Sequence, residues 1–273
     1  MTPSFVGITG LPRSGSTLLC QLLAQHPDIE CEGASSPLCN TLLGMRRMIS
    51  DDTFFLSQLD NSFDRSYGHL KGAMRGFLRG WNYDCSKSVV VDKNRAWLHS
   101  IELLLQIEPD AKLIVCIRDL GQIYGSIEAQ HQRTLLIDFI DHLADYDRMG
   151  RADVLFAQDK AIGAPLSSLH AVSDLPKKVQ EHLYFVRFED LVAQPKACMS
   201  HIYAWLNLAP FEITPDKLTM GVRESDSHYH MKYTHVQATH IGTPMFHEIP
   251  PRIQALIQAK HPWFYQMYYP AKI

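Results

Sequence analysis

The chain alternates between short apolar runs and longer segments whose apolar residues recur with helical spacing. The apolar runs show no polar alternation, which is typical of parallel strands buried on both faces of a sheet. Such runs occupy residues 5–9, 88–91, 112–117 and 183–188. Helical patterns follow them at residues 16–25, 97–105, 121–130 and 197–206. Strands that alternate with helices predict an α/β fold of three layers around a central parallel sheet.

The segments between these units are more polar and predict additions to one domain that spans residues 1–273. Residues 37–85 and 131–180 have helical character, and we expect them to form insertions that build a lid over the acceptor. Residues 224–251 show no period and predict an ordered loop. The aromatic residues of 262–270 predict a segment that packs back on the body.

The composition excludes several classes of protein. Hydrophobic residues make up 46% and charged residues 20% of the chain, which is typical of a globular protein. The formal charge is −3, from 26 Lys and Arg against 29 Asp and Glu, so no basic excess favours nucleic-acid binding. No apolar run approaches the ~20 residues that span a bilayer, and the N-terminus lacks a secretory signal pattern. With six scattered cysteines and no C-x-x-C pair, the chain is expected to be cytoplasmic, with structural thiols.

The segment between the first strand and the first helix has the composition of a phosphate-binding loop. It reads Gly10-Leu11-Pro12-Arg13-Ser14-Gly15-Ser16-Thr17 and matches G-x-x-x-x-G-K-[ST] except at the Lys, where Ser16 stands. Backbone N–H groups of such a loop point into one cavity at the positive end of the helix. Without the Lys, triphosphate chemistry is disfavoured, but the loop can hold one phosphate with one further acidic group beside Arg13. The alternative is a Gly/Ser-rich turn without a ligand.

The loop, followed by Q-H-P-D-I-E-C-E, resembles the 5′-phosphosulfate loop of PAPS-dependent sulfotransferases, where PAPS is 3′-phosphoadenosine-5′-phosphosulfate. Its P-R-S-G-S-T-L form is most similar to the tyrosylprotein and bacterial branches of that family. Arg118-Asp119, with Ser126 eight residues after the arginine, resembles the family's 3′-phosphate motif. Phe188-Glu189-Asp190-Leu191, with Pro195 beyond, resembles its Y-E-D-L…P segment. The resemblance spans about residues 4–208 and implies a P-loop NTPase-like fold.

The resemblance also implies how the donor is held. The amides of residues 14–17 would bind the 5′-phosphate, with Arg13 near the bridging oxygen and the sulfuryl group. Arg118 and Ser126 would bind the 3′-phosphate, although an ion pair of Arg118 with Asp119 or Glu128 is the structural alternative. The donor-binding set is therefore Arg13, Ser14, Gly15, Ser16, Thr17, Arg118, Ser126, Phe188 and Lys232, of which Lys232, with Arg223 and Tyr233, would close over the 3′-phosphate. Phe188 replaces the family's Tyr, which leaves an apolar or stacking contact, and Leu120 replaces a frequent proline.

Transfer of the sulfuryl group needs a base and cations that stabilise the developing charge. The resemblance assigns Glu32 as the base, and Lys93 and Arg13 as the catalytic cations. Glu30 is the fallback base, expected on the opposite side of an extended segment from Glu32, and a solvated loop carboxylate is the alternative for Glu32 itself. No metal is required, because the transferred group carries a single charge.

Neighbouring residues leave alternatives open around these assignments. Asp92 is an alternative base or an ion-pair partner of Lys93, and Arg95 is a candidate contact to sulfate or acceptor. His26 precedes Pro27 at the end of a helix, where a capping role is favoured over a catalytic one. The tail contains His228, His230, His235, His240 and His247, but their spacing does not fit a zinc site.

Two other functions compete with sulfuryl transfer. A small-molecule or nucleotide kinase would need the missing loop Lys and an acidic Mg²⁺ ligand, for which Asp92 is the candidate. A non-catalytic module would bind adenosine 3′,5′-bisphosphate (PAP), the product of PAPS, without turnover. The acceptor is open among peptide tyrosine, sugar, lipid and small-molecule hydroxyls, because specificity resides in the insertions. The sequence is also compatible with a homodimer.

Overall fold

A single parallel sheet of five strands forms the centre of the molecule. The computed structural model describes residues 2–138, 142–218, 238–242 and 245–270. The strands are β1 (Ser4–Gly10), β2 (Ile29–Ser35), β3 (Val89–Lys93), β4 (Lys112–Ile117) and β5 (Leu183–Arg187), and their spatial order is β2-β3-β1-β4-β5. Because all strands run in one direction, their carboxyl ends meet at one edge, where α/β proteins bind ligands.

The helices follow the strands and fill the predicted insertions. The first three are α1 (Ser16–Leu23), α2 (Leu38–Ser50) and α3 (Thr53–Asn61), followed by α4 (Phe63–Trp81), α5 (Ile101–Ile107), α6 (Leu120–Arg133), α7 (Arg148–Phe156), α8 (Gly163–His170) and α9 (Lys177–Gln180). The last four are α10 (Phe188–Ala193), α11 (Pro195–Trp205), α12 (Pro251–Lys260) and α13 (Pro262–Tyr268). Within the described residues, no helix combines the length and the apolar character needed to cross a membrane.

Alternation of side chains along the strands divides the core into two clusters, one on each face of the sheet. Leu113 and Val115 of β4 face a cluster that includes α5 and α6 residues. Ile114 and Cys116 of the same strand face the other cluster, which includes α1 and α11 residues. The predicted three-layer α/β fold is therefore confirmed.

Two elements differ from the sequence prediction. The edge strand β2 was not predicted, because its residues I-E-C-E-G-A-S lack an apolar run and it pairs with β3 alone. The helix expected from residue 97 begins at Ile101, and a short 3₁₀ turn at Arg95–Trp97 precedes it. Asn94 caps that turn by accepting a hydrogen bond from the Ala96 N–H, at 2.9 Å, which separates the turn from the helix.

The C-terminal aromatic segment packs on the body as expected. Phe264 and Tyr268 of α13 belong to the core cluster on the α6 side of the sheet. The six cysteines are free thiols. Burial raises the pKa of the Cys39 thiol to about 12, so this thiol stays protonated at neutral pH, as expected for a structural cysteine.

Candidate functional site

The loop between β1 and α1 is held in a strained but well-supported conformation. Gly15 adopts a left-handed conformation with φ of 88° at the start of α1, and a Cβ there would lie 2.5 Å from Cδ2 of Phe188. Only glycine satisfies both constraints. Arg13 also has a positive φ of 57°, which is uncommon for a residue with a side chain. The hydroxyl of Ser14 donates to the carbonyl of Leu11 at 2.5 Å, which closes the turn.

The 3′-phosphate motif lies directly against this loop. Nη1 of Arg118 donates to the carbonyl oxygen of Arg13 at 3.0 Å, and Nε of Arg13 donates to Oγ of Ser126 at 3.2 Å. Arg118 follows β4 and Ser126 lies on α6, so the loop, the sheet edge and the helix converge. The two motifs that the sequence placed 105 residues apart therefore share one face of the molecule.

Arg118 is a buried cation whose hydrogen bonds are incomplete. Its exposed fraction is 8%, and its Nε finds no acceptor among the described residues. Burial lowers the pKa of Arg118, Glu189 opposes this shift, and the positive charge of Arg13 adds to it. An anion between the two guanidinium groups would relieve both the repulsion and the unpaired N–H group.

Phe188 provides the apolar wall of the site. The guanidinium of Arg118 lies over its ring, 4.5 Å from the centroid. The next residue, Glu189, accepts hydrogen bonds from the backbone N–H of Asp119 at 3.2 Å and from the hydroxyl of Tyr269 at 2.8 Å. These contacts join the C-terminal segment to the start of α6.

Lys93 brings an ammonium group to the loop from the neighbouring strand. It ends β3 and pairs with Ile8 of β1, and its side chain is buried with 7% exposed. Nζ of Lys93 donates to Oγ1 of Thr17 at 3.4 Å. A cation from β3 therefore contacts the Thr17 hydroxyl at the end of the loop. The neighbouring residue, Ser16, stands where other phosphate-binding loops have their lysine.

Asp92, the alternative base, has both carboxylate oxygens engaged. Nε1 of Trp97 donates to Oδ1 at 2.6 Å, and the hydroxyl of Ser36 makes a very short hydrogen bond to Oδ2. Burial raises the pKa of Asp92, while the bonds from Ser36 and Trp97 limit the rise. Its environment is that of a buried structural carboxyl group. No motif or spacing in the sequence points to the Ser36 and Trp97 partners.

The two glutamates of β2 lie apart from these contacts. Glu32 is exposed and makes no hydrogen bond or ion pair within the described part of the chain. Glu30 forms an ion pair with Lys87, at 3.7 Å between Nζ and Oε2. Residues two apart on a regular strand share a face, but the register of β2 shifts between Cys31 and Ser35, so the expectation that Glu30 and Glu32 point to opposite sides stays a prediction. Ile29 and Cys31 lie with the α1 cluster, so Glu30, between them, faces away from it.

His26 is a structural residue, as expected. Its Nδ1 accepts from the backbone N–H of Asp28 at 3.1 Å, so its Nε2 carries the proton and donates to the carbonyl of Ala209 at 3.1 Å. The alternative of an ion pair between Arg118 and Glu128 is not found among the described residues, because Glu128 binds Arg151 through two hydrogen bonds of 2.7 Å.

Part of the predicted site lies outside the described residues. This applies to Lys232, to its companions Arg223 and Tyr233, and to three of the tail histidines, His228, His230 and His235. Among the described residues, no group of His, Cys, Asp and Glu could hold a metal ion. Arg95 lies in the 3₁₀ turn after β3, where its carbonyl accepts a hydrogen bond of 2.9 Å from the Thr9 hydroxyl.

The model of the Sulfotransferase family matches residues 4–212, which include the loop, Lys93, Arg118 and Phe188. The chain belongs to the sulfotransferase family. This sulfotransferase is 28% identical to protein-tyrosine sulfotransferase 1 of Danio rerio over 214 residues, which cover 75% of its own chain. It spans about half, 52%, of the length of that relative.

A solved structure of another sulfotransferase has the same fold. The crystal structure of a sulfotransferase from Alicyclobacillus acidocaldarius superposes with a TM-score of 0.50 at 15% identity, covering 78% of this sulfotransferase and 85% of that chain. The sulfotransferase domain from the curacin biosynthetic pathway gives a TM-score of 0.49 at 20% identity, covering 77% and 75% of the two chains. The central parallel sheet with its phosphate-type loop is the P-loop NTPase-like α/β fold.

Proposed function

We propose that this sulfotransferase moves a sulfuryl group from PAPS to a hydroxyl acceptor by in-line displacement and releases PAP. The observation that carries the proposal is the direct link between the two anion-binding motifs, in which Arg118 donates to the carbonyl of Arg13. A nucleotide with phosphates at both its 5′ and 3′ positions presents two anionic groups that such a pair of adjoining sites can bind.

The residues present fit this donor. The amides of residues 14–17, at the N-terminus of α1, would hold the 5′-phosphate. Arg118 and Ser126 would hold the 3′-phosphate, and the buried Nε of Arg118 supplies a donor that lacks an acceptor among the described residues. Phe188, which already lies over the Arg118 guanidinium, would offer its ring to the adenine side.

When bound, the donor supplies a sulfuryl group joined to a phosphate through an acid anhydride bond. The acceptor oxygen forms the new S–O bond as the anhydride S–O bond breaks, and its proton passes to the carboxylate of Glu32. Lys93 and Arg13 would stabilise the negative charge that develops on the sulfuryl and leaving phosphate oxygens. The buried ammonium of Lys93 is suited to this role, because electrostatic stabilisation is stronger where water is excluded.

The position of Lys93 argues against a kinase. In loops with a G-K-[ST] ending, the Ser/Thr hydroxyl binds Mg²⁺. Here the corresponding hydroxyl, Thr17, accepts a hydrogen bond from the ammonium group of Lys93. The acidic candidate for a Mg²⁺ ligand, Asp92, is bound by Ser36 and Trp97.

The acceptor we favour is a phenol, such as a tyrosine in a peptide, ahead of sugar and small-molecule hydroxyls. The support is the similarity to the zebrafish protein-tyrosine sulfotransferase. The helices α2–α4, which occupy the first predicted insertion, would form one wall of the acceptor site. A cytoplasmic location and a homodimeric state remain part of this proposal.

The test is transfer of labelled sulfate from PAPS to a panel of phenol, sugar and alkyl hydroxyls, with Glu32→Gln as the diagnostic variant. Loss of the base is expected to lower kcat by roughly 10²- to 10⁴-fold while PAP binding is unchanged, because Glu32 lies outside the arginine contacts. Asp92→Asn is the control and should keep most activity, because its partners can bind an amide.

Two results would contradict these assignments. Full activity in Glu32→Gln, with loss of activity in Asp92→Asn, would move the base to Asp92. Tight PAP binding without turnover on any acceptor would favour the non-catalytic module.

A further inference from the structure

Residues 245–250 form a strap that lies across the first half of α6 and is fixed there through its backbone. Nε2 of Gln122 donates to the carbonyl of His247 at 3.1 Å, and the N–H of His247 donates to Oε1 of Gln122 at 2.9 Å. This reciprocal pair uses only the main chain of His247, so the imidazole does not take part in holding the strap on α6.

A glycine on α6 allows the strap to approach the helix closely. A Cβ on Gly125 would lie 2.5 Å from Cβ and 3.3 Å from Cγ of His247. The side chain of His247 therefore begins on the surface of the turn that carries Ser126, which accepts a hydrogen bond from Arg13. The strap also touches the second arginine, because Nη2 of Arg118 donates to the carbonyl of Met245 at 3.4 Å.

The charged groups that act on the His247 imidazole from these elements are both cations. Burial lowers the pKa of His247, and the positive charges of Arg118 and Arg13 lower it further. On α6, the neighbouring side chains Gln122 and Ser126 are uncharged. The acidic residue of that helix, Glu128, is bound to Arg151.

We propose that His247 is a further binding residue for the nucleotide and that it takes up a proton when the 3′-phosphate binds at Arg118 and Ser126. The inference rests on the proposed function, because that function brings the phosphate to this face. Without an anion, two neighbouring guanidinium groups keep the imidazole neutral. A phosphate dianion reverses the sign of the local charge and favours the imidazolium form, which can donate a charge-assisted hydrogen bond.

The test is isothermal titration calorimetry of the full chain with PAP at pH 7, in buffers that differ in ionisation enthalpy. Wild type is expected to take up roughly half to one more proton per bound nucleotide than His247→Gln. The difference between the variants is the relevant quantity, because the phosphate itself can also exchange a proton. Between pH 6 and pH 8, wild type should lose at least about threefold more affinity than His247→Gln.

The control is His240→Gln, whose imidazole contacts the neighbouring Thr239 hydroxyl, and it should behave as wild type. Gly125→Ala provides a second route, because the added methyl group pushes the His247 side chain away and should abolish the extra proton uptake with the histidine still present. His247→Gln keeps the backbone bonds to Gln122, so it should fold as wild type. Circular dichroism of His247→Gln and Gly125→Ala checks that both variants are folded.

The outcomes separate the two proposals. If PAP binds wild type, His247→Gln and Gly125→Ala with equal proton uptake, the role of His247 is wrong while the proposed function stands. If wild type does not bind PAP at all, the proposed function fails and the inference fails with it.

Discussion

At the scale of single residues, the site depends on cations that the fold holds out of water. Lys93 and Arg118 are 7% and 8% exposed. Burying a charged group opposes folding, and hydrogen bonds or counter-ions offset that cost. Arg13 adds a backbone in the left-handed region, which costs of order 1 kcal/mol or more.

Lys93→Met should separate catalysis from folding. The methionine keeps the apolar stem and removes the charge, so we expect the free energy of unfolding to change by less than about 1 kcal/mol. The rate of transfer should fall roughly 10²- to 10³-fold, as when one charge-stabilising group is removed from an active site.

Lys112→Met is the matched control for this experiment. Lys112 donates to the carbonyl of Trp205 at 2.5 Å, at the opposite end of β4 from Arg118. Its loss should lower stability without changing kcat. Denaturant unfolding and initial rates measure both effects, and an unchanged rate in Lys93→Met would remove that residue from the mechanism.

Asp92→Asn should reveal that ionisation of the Asp92 carboxyl group destabilises the folded protein. Burial raises the pKa of Asp92 in the folded chain, so wild type loses stability from this group as the pH rises through that value. The amide does not titrate. The melting temperature of Asp92→Asn relative to wild type should therefore be higher at pH 8 than at pH 4, and the reverse trend would exclude a raised pKa.

At the scale of elements, α6 connects the donor site to the second insertion. Asp119 caps it by accepting from the N–H of Gln122 at 2.9 Å, and Ser126 binds Arg13 from its middle. Two residues further on, Glu128 binds Arg151 of α7, and both side chains are almost fully buried. The helix therefore contacts both α7 and the phosphate-type loop.

Glu128→Gln should destabilise the protein by about 3 kcal/mol, because it leaves the guanidinium of Arg151 buried without its counter-ion. Burial would raise the pKa of Glu128, but the hydrogen bonds from Arg151 and Gln132 outweigh this and lower it. Wild type thus loses this stabilisation as the pH falls, so the difference from Glu128→Gln should shrink in acid.

Asp153→Asn is the control, on α7, the helix that carries Arg151. Asp153 pairs with Lys260 at 2.6 Å, and both side chains are about half exposed. Its loss should cost about 0–1 kcal/mol. If both substitutions lower the free energy of unfolding in urea equally, the buried Glu128–Arg151 pair contributes no more than the exposed Asp153–Lys260 pair.

At the scale of the whole molecule, the proposed nucleotide would contact residues that follow different strands of the sheet. The loop follows β1, Arg118 follows β4, Ser126 lies on α6 and Phe188 follows β5. A nucleotide that touches all of them favours the folded state over the unfolded one by mass action.

PAP at about 100 times its Kd should stabilise the protein by roughly 2.7 kcal/mol, which corresponds to a rise of about 5 °C or more in Tm. ATP with Mg²⁺ at the same concentration should give a smaller shift, because it lacks the 3′-phosphate. Arg118→Ala should weaken PAP binding by roughly 30- to 150-fold, from the loss of about 2–3 kcal/mol of charged hydrogen bonding. A larger shift with ATP–Mg²⁺ in a thermal-shift assay would favour the kinase.

The sequence predicted the parts of this molecule that depend on local pattern and strand order. β1, β3, β4 and β5 were found because each contains an apolar run buried on both faces. The meeting of Arg118 with the loop followed from the rule that parallel strands end at one edge. β2 was missed because charged residues interrupt its pattern at the border of the sheet.

Several contacts that the sequence did not predict join residues distant along the chain. Gln122 and His247 are 125 residues apart, and Ser36 and Asp92 are 56 apart. Such pairs leave no local periodicity or motif, since their chemistry exists only after the elements pack. Sequence reasoning therefore found the phosphate-type loop and the Arg118 motif but not the groups that hold their neighbours in position.

The bond from Arg118 to the carbonyl of Arg13 holds the guanidinium against the backbone of the loop. On the proposed assignment, Arg118 borders the 3′-phosphate, and its bond to Arg13 reaches the backbone of the loop that would hold the 5′-phosphate, so one side chain links the two positions. A mononucleotide that fills only one position leaves that buried charge without a counter-ion. On that assignment, adenine nucleotides without a 3′-phosphate would bind more weakly, without any group that repels them.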